Sequence, residues 1–510
     1  MSTDSTAPLT AQGTANSSVV IREQSPELDK LVRDTLENVA TQVRGNSEEK
    51  IYVTGLMEQV LNGIMEGQIR ISDDLITSID EEIARLDRLM SDQLAEIMHH
   101  DEFQKLEASW SGLHHMVQTA ETGTMLKIKV LNASKRELSD DLKRAKDFDQ
   151  SQFFLKIYGD EYDKLGGDPY SVIIGDYQFD VKNSQEVDFL QKIASVASAA
   201  HAPFIAAASP SSFGLESFSE LNEIYDLASV FDHRRNPFYT RWNSFRESVD
   251  SRYVALTVPG YLGRLPYGKG DCEAIIPEFA FDEKVDGTTH EDYLWVNSAY
   301  LLGEKVAEAF VDTGWYAAIA GVENGGLAEN LPVHVVKTAE GDAATKCPIE
   351  VSIGERRENE LAQLGFVPVV HYKNTDRAVF MSVQSCQKPK VYASNEATAS
   401  AELTANLSYL LIVSRIAHYI HAICRDKIMA YKSKEDMQKL LHNWLHMYVV
   451  EDPGGEEQKR KYPLKSAQVE VEEDPARPGC YRAVAHIVPH IVLKEISVSL
   501  RLVANLPDKG

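Results

Sequence analysis

Short apolar runs spaced along the middle of the chain limit its fold more than any other feature. From Thr124 onward, Lys127–Val130, Val172–Gly175, Phe204–Ala208, Tyr253–Val258 and Val333–Val336 are strand-length, and several are β-branched. A strand that is apolar at consecutive positions has no polar face to offer water, so it needs cover on both sides. Helical stretches at Val181–Ala200 and Asn297–Ala320 lie among the runs and can supply that cover. The expectation is an α/β architecture. Gly321-Val322-Glu323-Asn324-Gly325-Gly326 closes the second helix, and Gly325-Gly326 suits a positive-φ turn. Phe366–Val370 and Arg377–Ser382 then read as a hairpin, and Glu396–Tyr431 and Lys434–Val449 as helices. Val469–Glu472, Tyr481–Val488 and Ile491–Val503 return to strands.

The first 120 residues are helical in texture. Residues 1–24 are rich in Ser, Thr, Ala and Asn, and Ser25-Pro26-Glu27 then makes a helix start, with serine as N-cap and proline in the first turn. Leu28, Leu31, Val32, Leu36, Val39 and Val43 follow at helical spacing, closed by Gly45-Asn46. So short a helix is marginal in water, and its stripe needs a partner. Between Asp73 and His99, the residues Ile76, Ile79, Ile83, Leu86, Met90, Leu94 and Ile97 recur in steps of three and four, as in a coiled-coil seam. Phe103, Leu106, Trp110 and Leu113 share one face of the next helix, as a core stripe does.

A chain of 510 residues exceeds one compact core, so two or three packed units are expected. Its 77 acidic and 52 basic residues leave a net charge of −25. Binding to nucleic acid or anionic lipid needs a basic surface that this balance does not provide. Five widely spaced cysteines without a C-x-x-C fit a reducing compartment. The N-terminus shows no basic region ahead of an apolar core, and the longest apolar runs, such as Tyr409–Val413, fall far short of the ~20 residues that span a bilayer. A cytoplasmic location is expected.

Catalytic motifs are wanting. His442 and His446 have the i, i+4 spacing of zinc proteases, but Asn443 stands where the glutamate base belongs. His418 and His421, and the pairs His99-His100 and His114-His115, offer no ligand set. Gly321–Gly326 lacks G-K-[ST], and Ser209-Pro210-Ser211-Ser212 lacks the nucleophile elbow.

Five blocks stand in order along residues 55–505. They are Phe103–Leu113, on the pattern F-x-x-L-E-x-x-W-x-G-L; Phe245–Ser248 with Ser251–Leu256 and Arg264–Gly268; Gly314-Trp315 with Gly325-Gly326 and Leu331-Pro332; Gly354–Leu361 with Gly365-Phe366; and the strand around Ile496–Val503. Together they resemble the large subunit of the contractile sheath of bacterial type VI secretion, the TssC/VipB family. Within them, Glu355-Arg356-Arg357-Glu358 suits ion pairs in or between subunits.

The resemblance implies a contractile tail-sheath-like α/β fold with an N-terminal helical part and a small C-terminal β-sheet. It implies a structural protein, not an enzyme, that needs no cofactor or metal. Its partners would be a small sheath subunit (TssB/VipA-like), further copies in a helical polymer, an inner tube protein, the baseplate and an AAA+ disassembly ATPase (ClpV-like). No nucleic acid or membrane insertion is implied. The expected division is a leader and amphipathic helix in 1–55, a helical region packing with the small subunit in 56–122, an α/β sheath domain in 123–385 and an inner C-terminal domain in 386–510. Leu28, Leu31, Val32, Leu36 and Val39 are candidates for unfoldase recognition, as a groove-bound helix. Arg425, Lys427, Lys432 and Lys434 are candidates for inner-tube contact by complementary charge. Ile496, Val498, Leu500 and Leu502, alternating with polar neighbours, are candidates for an inter-subunit strand. A sheath of another contractile injection particle, or a cytoplasmic enzyme with an unrecognised site, are the alternatives.

Overall fold

The computed structural model describes residues 75–268, 281–285, 287, 289–337, 343–427, 434–473, 481–490 and 500–505, together with 55 and 59. The chain divides into two units, Met1–Met90 and Ser91–Gly510. Helix α1 spans Leu75–Met98, and α2 spans Asp101–Thr119. Asp101 and Glu102 in the first turn of α2 complement the positive end of its dipole.

The apolar runs form a parallel sheet. Strands β1 (Ile173–Phe179), β2 (Phe204–Ala208), β3 (Val254–Val258) and β4 (Phe366–Pro368) lie side by side in that order. Every residue of β2 and β3 is buried, as strands without a polar face require. Helices α3 (Ser184–Ala200) and α4 (Ser298–Thr313) pack on β1, β2 and β3. Helix α3 starts where the Asn183 side chain accepts from the Gln185 N–H, so Val181 and Lys182 stay outside it. Helix α4 ends at Gly314, φ 76°, and not at the expected Ala320, because glycine enters the left-handed turn that stops a helix. Trp242, Phe204, Phe366 and Leu190 are fully buried in this core. Each such side chain contributes about 2 kcal/mol.

Several expectations need correction. Lys127–Val130 belongs to no strand. The anticipated hairpin is narrower: β4 joins the parallel sheet, and only β5 (Val370–His371) pairs with β6 (Ala378–Val379). Val335–Lys337 pairs with Ala343–Thr345, away from the main sheet. The long helix is two, α6 (Asn395–Thr404) and α7 (Leu407–Lys427), because Asn406 interrupts the chain and accepts from the Ser408 N–H. Between β3 and α6, helix α5 spans Glu355–Gln363, with Arg356 and Arg357 both 2.9 Å from Glu360, so its charges pair within the subunit. Gly325 has φ 83°, as its turn requires.

A second core forms where α7 and α8 (Lys434–His446) meet the C-terminal strands. Strands β7 (Leu464–Glu473), β8 (Tyr481–Pro489) and β9 (Leu500–Asn505) make an antiparallel sheet with β8 central. Along β7, buried Ala467, Val469 and Val471 alternate with Gln468 and Glu470 on the wetter face, and α8 packs against this strand. Among the described residues, Leu407–Asp426 alone is long and apolar enough to cross a membrane, and 67% of that stretch is buried in the protein.

Candidate functional site

Helix α2 turns its apolar residues away from the core. Phe103, Leu106 and Trp110 are exposed, Trp110 by 66%, and Leu113 is half-buried. The core-stripe expectation is thus reversed for Phe103, Leu106 and Trp110, while Leu113 packs against the core. Gly112 and Met116 face inward instead, and a Cβ at Gly112 would collide with the Tyr300 ring and approach Val296 to 2.8 Å. Glycine therefore brings the backbone of α2 against α4. Periodicity says that a stripe is to be covered, but not what covers it.

Buried ion pairs hold α2 in this orientation. Arg264 lies 2.5 Å from Glu107 and 2.8 Å from Glu283, and His99 meets Glu283 at 3.1 Å. Burial alone would lower the Arg264 pKa, but hydrogen bonds to Glu283 and Glu107 outweigh it and raise it. Burial would likewise raise Glu283, yet Arg264 holds it below the usual carboxylate value. Further along the helix His115 meets Glu304 at 3.0 Å, and Lys305 reaches the same carboxylate at 3.1 Å. Glu304 is also held low against its burial, chiefly by His115. Breaking such pairs strands a buried charge, so the outward face of α2 is presented rigidly.

Two further stretches carry exposed apolar side chains. Along the α1 seam, Ile83, Leu86, Met90 and Ile97 are each more than half exposed, while Leu94 is intermediate. The side chains of Ile76 and Ile79 lie outside the described residues. Met125, Val130 and Leu131 are also exposed, Met125 by 77%. From Lys127 to Asn132 no backbone N–H or C=O finds a hydrogen-bond partner among the described residues. Side chains fix this segment instead, through Lys127–Asp168 and Lys129–Glu161, both 2.5 Å.

The residues singled out from sequence fare unevenly. Leu28, Leu31, Val32, Leu36 and Val39 lie outside the described residues, as do Ile496, Val498 and Lys432 and the side chain of Lys427. Leu500 stands opposite Ile487 and Leu502 opposite Ala485 in the β8–β9 ladder. Arg425 donates to the Lys164 carbonyl at 2.9 Å and lies 3.6 Å from Asp426, while Lys434 is exposed at the start of α8. Arg425 and Lys434 are thus not brought together by any shared contact.

His201, His418 and His421 serve packing. His418 meets the Ala200 carbonyl at 2.8 Å, and its ring lies 6.3 Å from that of His201. Burial lowers His418 to about 4 and His201 to about 3, so both are neutral at neutral pH. His421 stacks on Tyr162 at 4.6 Å. Burial pushes the Cys386 and Cys424 thiols up to about 12, which disarms them as nucleophiles. No group of three His, Cys, Asp or Glu side chains suited to a metal occurs among the described residues. The site that remains is a set of surfaces.

Comparison with known proteins gives the same direction. A family model described as the EvpB/VC_A0108 tail sheath N-terminal domain matches residues 80–387. A second, described as the tail sheath gpW/gp25-like domain, matches residues 396–506. The type VI secretion system sheath protein TssC1 of Pseudomonas aeruginosa is 43% identical over 504 residues, covering 98% of this chain and 96% of that relative.

Proposed function

The chain belongs to the VipB family of tail sheath proteins and is a structural subunit of the type VI secretion sheath; from that premise we propose that it pairs through α2 with a smaller sheath chain. The pairs then polymerise around an inner tube and contract. The observation that carries this reading is the exposed face of Phe103, Leu106 and Trp110, fixed from behind by buried ion pairs. On a lone chain such a face is a liability, whereas large aromatic side chains are the usual anchors of interfaces.

The backbone of 127–132, without a hydrogen-bond partner among the described residues, supports a second contact, since an extended segment of that kind accepts a strand from another chain. Strand β9 is an outer strand of its sheet, which supports a joint between neighbouring subunits. The inner tube, baseplate and AAA+ ATPase are proposed as partners on the family resemblance alone.

Co-expression with the small sheath chain and negative-stain imaging tests the reading. Tubes are expected, and a persistent monomer overturns it. In the same system Val498→Pro with Leu500→Pro removes two backbone donors, the second of them at the first residue of β9. The expected product is a heterodimer that forms no tubes. Normal polymerisation of the double variant removes the C-terminal joint.

A further inference from the structure

In a chain of net charge −25, residues 231–241 (Phe-Asp-His-Arg-Arg-Asn-Pro-Phe-Tyr-Thr-Arg) are locally basic. His233, Arg234 and Arg235 are exposed. Arg234 has no ion-pair partner among the described residues, and Arg235 has only Asp232 at 3.9 Å. Phe238 is 68% exposed. It lines a cleft of about 440 Å³ with Lys182, Arg241 and the hydroxyls of Ser184, Thr240 and Ser244. Arg241 pairs with Asp188 at the rim, whereas the Lys182 ammonium pairs with no carboxylate among the described residues. Cations and hydroxyls around a concavity, beside an exposed ring, suit a carboxylate side chain carried on a partly apolar segment.

The connection between β2 and β3 carries the opposite charge as well. Residues 216–226 hold Glu216, Glu220, Glu223 and Asp226 with no cation between them. None of the four has an ion-pair partner among the described residues. Tyr225 beside them is 84% exposed, and Arg356 above its ring is engaged with Glu360. Arg234 and Lys182 on one side, and the four carboxylates on the other, thus have no ion-pair partner among the described residues. Complementary patches on different segments let one copy receive a neighbour and offer itself to the next, and such a head-to-tail contact propagates into a helix.

We propose that Lys182, Arg234, Arg235, Phe238 and Arg241 form a docking surface for the acidic segment 216–226 of a second copy of this chain. The inference rests on the sheath reading for the polymer and adds a residue-level contact within it.

The test uses the full chain co-expressed with the small sheath chain. Arg234→Glu with Arg235→Glu should leave the melting of the heterodimer unchanged, since both side chains are exposed, and reduce sedimentable tubes roughly tenfold at low salt. Glu216→Lys with Glu223→Lys should do the same. A chain carrying all four reversals should recover tubes, because the complementarity is restored with its sign inverted. If either two-site variant assembles as the wild type does, or if the four-site variant fails to recover, the contact does not exist. If the wild-type chain itself makes no tubes, the sheath reading falls. The contact is then judged on the heterodimer by sedimentation velocity: salt-sensitive self-association lost in each two-site variant and regained in the four-site one upholds it, and anything else overturns it.

Discussion

Helices α2 and α4 lie against one another, yet their surroundings differ completely. Helix α4 buries eleven of its sixteen residues, including Leu301, Leu302, Glu304 and Lys305. Helix α2 buries only Gly112 and Met116 of its nineteen. Both carry apolar residues at helical spacing. The difference is position in the stack: α4 sits between the sheet and α2, whereas nothing among the described residues covers the far side of α2. An apolar stripe is therefore a request for a layer, and the described residues supply that layer for α4 but not for α2.

Three experiments can break or sharpen this contrast. The largest effect is expected from Leu301→Ala on α4, where a fully buried side chain leaves a cavity. A loss of about 3 kcal/mol in denaturant unfolding is expected, and a loss below about 1 kcal/mol would place α4 outside the cooperative core. Acid should act next, at the joint between the helices. Glu304 is held below the ordinary value of 4.5 by hydrogen bonding with His115 and by Lys305, and Glu283 by Arg264, in both cases against burial. A carboxylate lowered in the fold contributes stability that is present above its unfolded value and is lost as pH falls through the folded one. Amide exchange in α2 should therefore quicken below about pH 4.5 while α4 stays protected. Equal protection of both helices there would show that the ion pairs do not hold α2. The loss set by His201 and His418 begins at higher pH and overlaps that window below about pH 4.5. They are lowered to about 3 and about 4 from 6.5, so their contribution falls away as pH drops from about 6.5. The smallest change in the free chain is expected from Trp110→Ala, within about 0.5 kcal/mol. The same variant should weaken binding of the small sheath chain at least roughly tenfold. A large loss of stability without loss of binding would make α2 an ordinary core helix.

Some of the molecule could be read directly from residue order. Phe204–Ala208 is a strand at both its expected ends, because five consecutive small or apolar residues suit no other buried place in an α/β core. Gly314 stands among the family blocks, and glycine just past a periodic segment is the signal for the helix stop it forms, six residues before the expected end at Ala320. The outward face of α2 carried a signal too: Trp110 stands between Ser109 and Ser111, and a large ring among small polar residues suits an interface as well as a core.

Local sequence determined the buried strands β2 and β3, the acidic balance and the family to which the chain belongs, while the α3 start falls later than the expected Val181, at the cap Asn183. These depend on propensity, capping and composition, which act over a few residues or over the whole chain. Only the tertiary structure decided that Lys127–Val130 joins no strand among the described residues, that Phe103, Leu106 and Trp110 face outward, and that Arg264 joins Glu107 to Glu283. Glu107 and Arg264 are 157 residues apart, and no periodicity reaches that far. Burial and ion pairing depend on which elements become neighbours. That is settled by how the layers stack, and so it was not written in any one segment.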